Sequence, residues 1–353
     1  MLNQVHFENI KSLADVTIDL ERLTVLVGPN GCGKSTVLDQ VDVFCKLSSE
    51  PSDHAQLTLG VSQRANSKTG SVWRGRDGGG QIEYSRPFDI GSALRDTFIE
   101  ERRDWQEKGS FHLPLTMKIS GTPDINSLRP LRLRLNRAQV ATPAPLIMGQ
   151  PLRPDGYGLA SLLDDMRSND PDRYDRIKHD LKAVVPQFNN FYFSRVRVMA
   201  ENPQNPEEKT PQVGYALALS FRGVGRVPAH QASDGTLLAL ALLTAVHAHE
   251  LPNIVLIDDI DHGLHLSAQY TLIKAIRGVM EARPELQILC TSHAPVLLDS
   301  FDVKEVRVMA LDKDGATRVR PLVDAPGFER LSRGMGTGEI WASLGEDWVL
   351  NDA

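Results

Sequence analysis

The sequence is short of the features that mark several protein classes. It has three cysteines, Cys32, Cys45 and Cys290, among 353 residues. Their separation gives neither a zinc spacing nor a disulfide framework, and a reducing cytoplasm fits this usage. No basic segment followed by an apolar stretch opens the chain, so no secretory signal is expected. The longest apolar run, LLALALLTAV at 237–246, is too short to span a bilayer and is expected as a buried helix, so no membrane partner is expected. There is no internal repeat, long low-complexity tract or heptad run, which excludes long coiled-coil arms. Positive charge is not in excess either. The formal net charge of −6 argues against a protein that binds nucleic acid over its whole surface, and leaves room for a local basic patch.

What is present begins with VGPNGCGKST at 27–36. It fits G-x-x-x-x-G-K-[ST] through Gly28, Gly33, Lys34 and Ser35. Glycines let successive N–H groups turn toward one anion. The lysine can reach β- and γ-phosphates and the serine hydroxyl can ligate Mg²⁺. The run before it, ERLTVLV, is β-rich, and TVLDQVDVFCKL after it is apolar at helical spacing. Strand, loop, helix is the order a phosphate cradle requires, and a plain glycine turn is the weaker alternative.

Three more stretches carry chemistry. In NIVLIDDIDHGLH, 253–265, an apolar strand delivers Asp258 and Asp259 at its carboxyl end, where ligands of open α/β sheets bind. Asp258 is expected to hold Mg²⁺ through water and Asp259 to polarise the attacking water; a nuclease metal pair, Asp259-x-Asp261, is the rival. In ASDGTLLALALLTAV, 232–246, Ser233 and Gly235 precede a long apolar helix, an arrangement suited to an anion. Since one cradle already exists, this second one makes sense if it closes over a nucleotide held by another copy; the plain alternative is a helix cap. ILCTSHAPVLLD, 288–299, ends a third apolar strand with Ser292 and His293, an imidazole able to meet a γ-phosphate or the attacking water.

Elsewhere, NQVHFENI, ADVTIDL and LTVLV are expected as strands, with Val16, Ile18 and Leu20 alternating. A polar loop follows the first helix, and strands return at QIEYSRPF and FHLPLTMKIS. LRPLRLRLNR is expected as a strand with leucines on one face and Arg132 and Arg134 on a solvated one, a basic edge for nucleic acid being the alternative. Two helices are expected over 158–185, the second starting at Asn169-Asp170-Pro171, and a polar loop over 201–211. Strands alternating with helices, with near-continuous apolar runs, predict a mainly parallel sheet.

The set GPNGCGKST, SDGT, VLIDDIDHGLH and TSHAP, in that order, resembles the ABC-type ATPase heads of the RecF, SMC and OLD-like group. The opening, FENIKSLADVTIDLERLTVLV, resembles the start of those proteins. The resemblance implies an α/β P-loop NTPase with a mainly parallel central sheet, an antiparallel β subdomain and a helical insert. It implies ATP and Mg²⁺ as ligands and a Walker A loop of Gly28, Asn30, Gly31, Cys32, Gly33, Lys34, Ser35 and Thr36. It further implies a signature at Ser233 to Thr236, Walker B at Asp258, a catalytic acid at Asp259 and a switch histidine at His293. Lys11 and Ser12 would touch the nucleotide, and His265 would lie on the loop that crosses a dimer seam.

Residues 1–47 and 212–353 would form the nucleotide-binding core, 48–150 a variable β-rich lobe and 151–211 a helical insert and loop, all in one ATPase domain. The expected partners are a second copy, forming a dimer or larger oligomer, and a separately encoded effector such as a nuclease, as in bacterial anti-phage systems. Nucleic acid is a further candidate. Rival outcomes are a RecF-type DNA-repair ATPase and a transporter energy subunit, whose usual L-S-G-G-Q differs from ASDGT here. The sequence departs from the family in having Asp259 where Glu is usual, and Gln81 is the candidate for the family's Mg²⁺-sensing glutamine. The stretch after His293 is too short for the TOPRIM nuclease of OLD-type proteins.

Overall fold

The computed structural model describes residues 1–49, 82–86, 115–120, 128–146, 152–202, 205–248 and 252–351. The chain divides into two compact units, residues 1–128 with 302–353, and residues 129–301. Gln81 and most of the polar stretch expected after the first helix lie outside the described residues.

In the first unit, alternation of side chains builds an opening hairpin. Strands β1 (Gln4–Ile10) and β2 (Leu13–Asp19) pair antiparallel, with Val5 opposite Ile18 and Phe7 opposite Val16, all four buried. The turn between them holds Lys11 at φ 50. Strand β3 (Leu23–Val27) is instead buried at all five positions, as a strand covered on both faces must be. The loop after it leads into α1 (Lys34–Ser49), whose Val37, Leu38, Val41, Phe44 and Cys45 are buried at helical spacing. Strands β4 (Ile82–Arg86) and β5 (Leu115–Ser120) extend the hairpin into an antiparallel sheet in the order β2-β1-β5-β4.

In the second unit, β6 (Pro130–Leu133) is followed by a short helix, α2 (Arg137–Ala141), and by β7 (Ala144–Pro145). Helices α3 (Leu159–Asn169) and α4 (Pro171–Val184) come next. Asp170 caps α4 by accepting from the Arg173 N–H, and Pro171 takes the first turn, as the sequence predicts. Leu159, Leu163 and Met166 on one helix, and Tyr174, Ile177, Leu181 and Val184 on the other, are buried.

The polar loop expected at 201–211 is not found. Strands β8 (Phe188–Asn202) and β9 (Asn205–Phe221) form one long antiparallel ribbon. A ribbon exposed to solvent tolerates the polar and proline residues that suggest a loop. Arg195, Arg197 and Lys209 are exposed, and Pro211 lies at a position where β9 pairs with β8 alone, beyond the contact of β7 with Gly214 and Tyr215. Strand β10 (Gly225–Pro228) folds back on the end of β9.

Helix α5 (Asp234–His247) is buried on nearly every side. Strand β11 (Ile254–Ile257), helix α6 (Leu266–Ala282) and strand β12 (Gln287–Thr291) complete the unit. β11 runs parallel to β6 and to β12, with Ile257 level with Leu133 and with Cys290. Part of the stretch expected as a variable lobe therefore lies beside the strand that ends in Asp258.

The first unit then resumes. Strand β13 (Val306–Leu311) is parallel to β3, and β14 (Thr317–Pro321) returns antiparallel around the turn at 312–316. Helices α7 (Phe328–Leu331) and α8 (Thr337–Leu344) precede a last 3₁₀ turn, Asp347–Leu350. Trp341 and Trp348 in this tail are buried. The fold is thus mixed α/β, with both parallel ladders and antiparallel sheets.

Candidate functional site

The candidate residues fall into two groups, one in each unit. In the first unit, Gly28, Gly31 and Gly33 take φ of 145, 80 and 99, which side-chain-bearing residues rarely adopt. Space also dictates two of them. A Cβ on Gly28 would stand 2.2 Å from the Met309 carbonyl oxygen, and one on Gly33 would stand 2.9 Å from Ser12 Oγ. Asn30 and Ser35 are exposed, and Thr36 is half-buried. Lys34 is buried, and its Nζ donates to the carbonyls of Gly28 (2.8 Å) and Pro29 (2.9 Å). The ammonium thus folds back over its own loop and puts a positive charge at its centre.

Ser12 reaches this loop. Thr317 Oγ1 shares a 2.9 Å hydrogen bond with Ser12 Oγ and donates to the Cys32 carbonyl at 2.9 Å, while the Thr317 N–H donates to the Ser12 carbonyl. Thr317 was not anticipated; a threonine opening a strand far along the chain gives no local signal. Lys11 is exposed on its turn. Burial pushes the Cys32 thiol up, against the opposing pull of Lys34, so it stays protonated at neutral pH.

In the second unit, parallel register sets the chemistry. The carboxyl ends of β6, β11 and β12 lie side by side and deliver Arg134, the Asp258–Asp259 pair, and Thr291 with His293. Asp258 is engaged on both oxygens. Its Oδ2 lies 2.5 Å from Arg132 Nη2 and 3.4 Å from Arg134 Nε, and its Oδ1 accepts from Thr291 Oγ1 at 3.1 Å. Arg132 is only 5% exposed, so the expectation of a solvated arginine face on this strand is wrong for it. A charge inside a sheet needs a counter-charge, and Asp258, on the neighbouring strand, supplies one.

Asp259 has φ 48, an uncommon conformation for a side-chain-bearing residue. Its N–H donates to Thr291 Oγ1 at 2.8 Å, and its Oδ1 lies 3.7 Å from His293 Nε2. Asp261 Oδ1 accepts from the His293 N–H at 3.4 Å. Among the described residues no group of three His, Cys, Asp or Glu side chains could hold a metal. A cavity of about 320 Å³ opens beside the acids, between Arg134, Asn136 and His262 and the apolar Leu238, Leu242 and Leu272.

Ser233 acts as the N-cap of α5, accepting from the Thr236 N–H at 3.3 Å. Gly235 has a reason to be glycine, since a Cβ there would stand 2.3 Å from the Gly263 carbonyl oxygen. Arg137 holds the same turn. Its Nε pairs with Asp234 at 2.6 Å and its Nη2 donates to the carbonyls of His230 and Ala232. His265 is exposed at the N-cap of α6. The sequence gives no sign that Arg132 and Arg137 serve Asp258 and Asp234, or that Thr291 belongs to the site, beyond an arginine inside an apolar strand and a threonine two residues before the histidine.

Residues 1–102 match the family described as AAA ATPase domain, and residues 135–299 match the family described as AAA domain, putative AbiEii toxin, Type IV TA system. Among solved structures, an SMC head bound to the C-winged helix domain of ScpA aligns with a TM-score of 0.52 at 14% identity, covering 90% of this chain and 96% of that one. The SMC head domain from Thermotoga maritima aligns at 11% identity with a TM-score of 0.44, covering 91% and 98%. A search of curated proteins gives no match. The family matches are thus to AAA-type domains over two separate parts of the chain, and the aligned SMC head shares the fold.

Proposed function

We propose that the chain is an ATP-driven switch: it binds ATP with Mg²⁺, closes on a second copy and opens again after hydrolysis. The observation that carries this is Asp259 facing His293, with Asp258 beside it, at the ends of adjoining parallel strands, in a chain that also holds a lysine-centred glycine loop. Lys34 exchanges the carbonyls of Gly28 and Pro29 for β- and γ-phosphate oxygens, at little cost because one set of charge-assisted hydrogen bonds replaces another. Ser35 and Asp258 are the residues that would hold Mg²⁺, which when bound offsets phosphate charge. Asp259 orients the attacking water, and His293 donates toward the γ-phosphate. Asp for Glu shortens the acid by one methylene, so slow turnover is expected.

Ser233 and Gly235, at the start of α5, would meet the nucleotide of the second copy, with His265 on the seam. ATP then acts as a ligand of the closed state, and its loss releases the pair. The output is control of a separate effector. The toxin–antitoxin description of the family matched by residues 135–299 is compatible with such a role, and anti-phage defence is the setting we favour. The chain is proposed to work in the cytoplasm; no helix among the described residues is long and apolar enough to cross a membrane. The DNA-clamp alternative rests on arginines at 129–137, and three of these, Arg132, Arg134 and Arg137, have internal partners.

Light scattering of the wild type and of Asp259→Asn, with and without ATP, tests the switch. The variant is expected to double in mass with ATP and to stay paired. No ATP-linked change in either protein overturns the dimer.

A further inference from the structure

Thr291 ends β12 with none of its surface exposed, and its hydroxyl sits between the two acids of β11. The oxygen accepts from the Asp259 N–H at 2.8 Å, and it lies 3.1 Å from Asp258 Oδ1 and 3.3 Å from Asp259 Oδ1. A hydroxyl carries one proton. Two carboxylates compete for it, and only one receives it at a time. The other oxygen of Asp258 is taken by Arg132, so Oδ1 is the atom whose partner can change.

We infer that Thr291 is a positioning residue that links the two acids. With no cation at Asp258 the hydroxyl donates to Asp258 Oδ1. When positive charge reaches that oxygen, the proton turns to Asp259 Oδ1 and sets the carboxylate toward water. Through its lone pair the same hydroxyl holds the Asp259 N–H, and with it the left-handed backbone at φ 48, in either state. The neighbouring Ile260 N–H donates to the Thr291 carbonyl at 3.1 Å, so the turn after β11 is tied to this one residue from both sides. The proton toggle rests on the ATPase reading above; the hold on the Asp259 backbone does not.

Thr291→Val removes the hydroxyl and keeps the shape; Thr291→Ser keeps the hydroxyl. Hydrogen exchange of the peptide over 256–262 is read in the full chain without nucleotide or metal. Exchange at Asp259 is expected to rise about 10-fold in the valine variant and to stay near wild type in the serine variant. Phosphate release is then followed against ATP and against Mg²⁺. The valine variant is expected to lose about 10- to 100-fold in kcat, with KM for ATP within about 2-fold of wild type and a shifted Mg²⁺ dependence. Serine restores kcat.

Unchanged exchange and kcat in the valine variant overturn the inference. So does equal damage from serine and valine, which would make the effect one of packing. If valine prevents folding, Thr291→Cys replaces it: cysteine impaired beside a near-normal serine supports the inference, and the two alike overturn it. A wild-type chain without ATP turnover sinks the ATPase reading and the toggle, whereas a normal wild type with an unaffected valine variant sinks the toggle alone.

Discussion

Arg132 and Asp258 form an ion pair across neighbouring parallel strands, with Nη2 2.5 Å from Oδ2 and the guanidinium buried. Arg134, one turn of the pleat further on, meets the same oxygen at 3.4 Å from an exposed position. The two arginines differ in burial more than in partner, and burial decides what each is worth.

Arg132→Met should therefore destabilise the protein by about 3 kcal/mol, because it removes the buried counter-charge of a largely buried carboxylate and leaves only the exposed Arg134. Arg134→Met should cost less than about 1 kcal/mol. Urea unfolding midpoints at one pH compare the two; equal losses would show that burial does not set the cost.

Gly28 has no room for a side chain. Gly28→Ala should weaken ATP binding by at least about 10-fold, since the loop must shift and with it the N–H groups proposed to meet phosphate. Lys34→Ala should remove binding altogether. Fluorescent nucleotide titration reads both, and near-normal affinity in either variant contradicts the cradle.

Arg137→Met frees Asp234 and two carbonyls of the turn before α5. Stability should change by less than about 1 kcal/mol, because both partners are roughly half exposed. ATP binding to the single chain should stay within about 2-fold while ATP-linked pairing weakens, which sedimentation at several concentrations resolves.

Asp180 gives a pH prediction. Burial alone would raise its carboxyl, but hydrogen bonds from His247 (2.9 Å) and His179 (3.2 Å) outweigh that and hold it below the usual value. A depressed carboxyl stabilises the fold above its unfolded value of about 3.9, and the benefit fades as pH falls through the folded value. Asp180→Asn should be less stable than wild type at pH 6, with the gap closing below about pH 4. Denaturant midpoints from pH 3 to 7 measure it.

The thiols give another. Cys45 is pushed up to about 12 by burial and by the charge of Asp42, and Cys32 is raised as well. Iodoacetamide at pH 8 should leave both unmodified in the folded chain and label them once it is unfolded. Rapid labelling of Cys32 in the native state would show that its loop opens.

Local chemistry made much of this protein legible. Gly28, Gly33 and Lys34 announce their loop because the turn and the charge lie within seven residues. Asp170 and Pro171 announce a helix start for the same reason. Val16 and Ile18 show their inward face by simple alternation. The ribbon at 188–221 was only half visible, since Arg197, Lys209 and Pro211 are as much at home in an exposed strand as in a loop.

The sequence alone determined which residues could do chemistry: a glycine loop with its lysine, two acids after an apolar strand, a histidine after another. Tertiary structure decided what each one touches. Strand register, set by burial of apolar runs far apart in the chain, brought Arg132 to Asp258, Thr291 between two carboxylates and Thr317 to the loop of Cys32. None of those meetings has a local cause, because each depends on which strands become neighbours and in which direction they run.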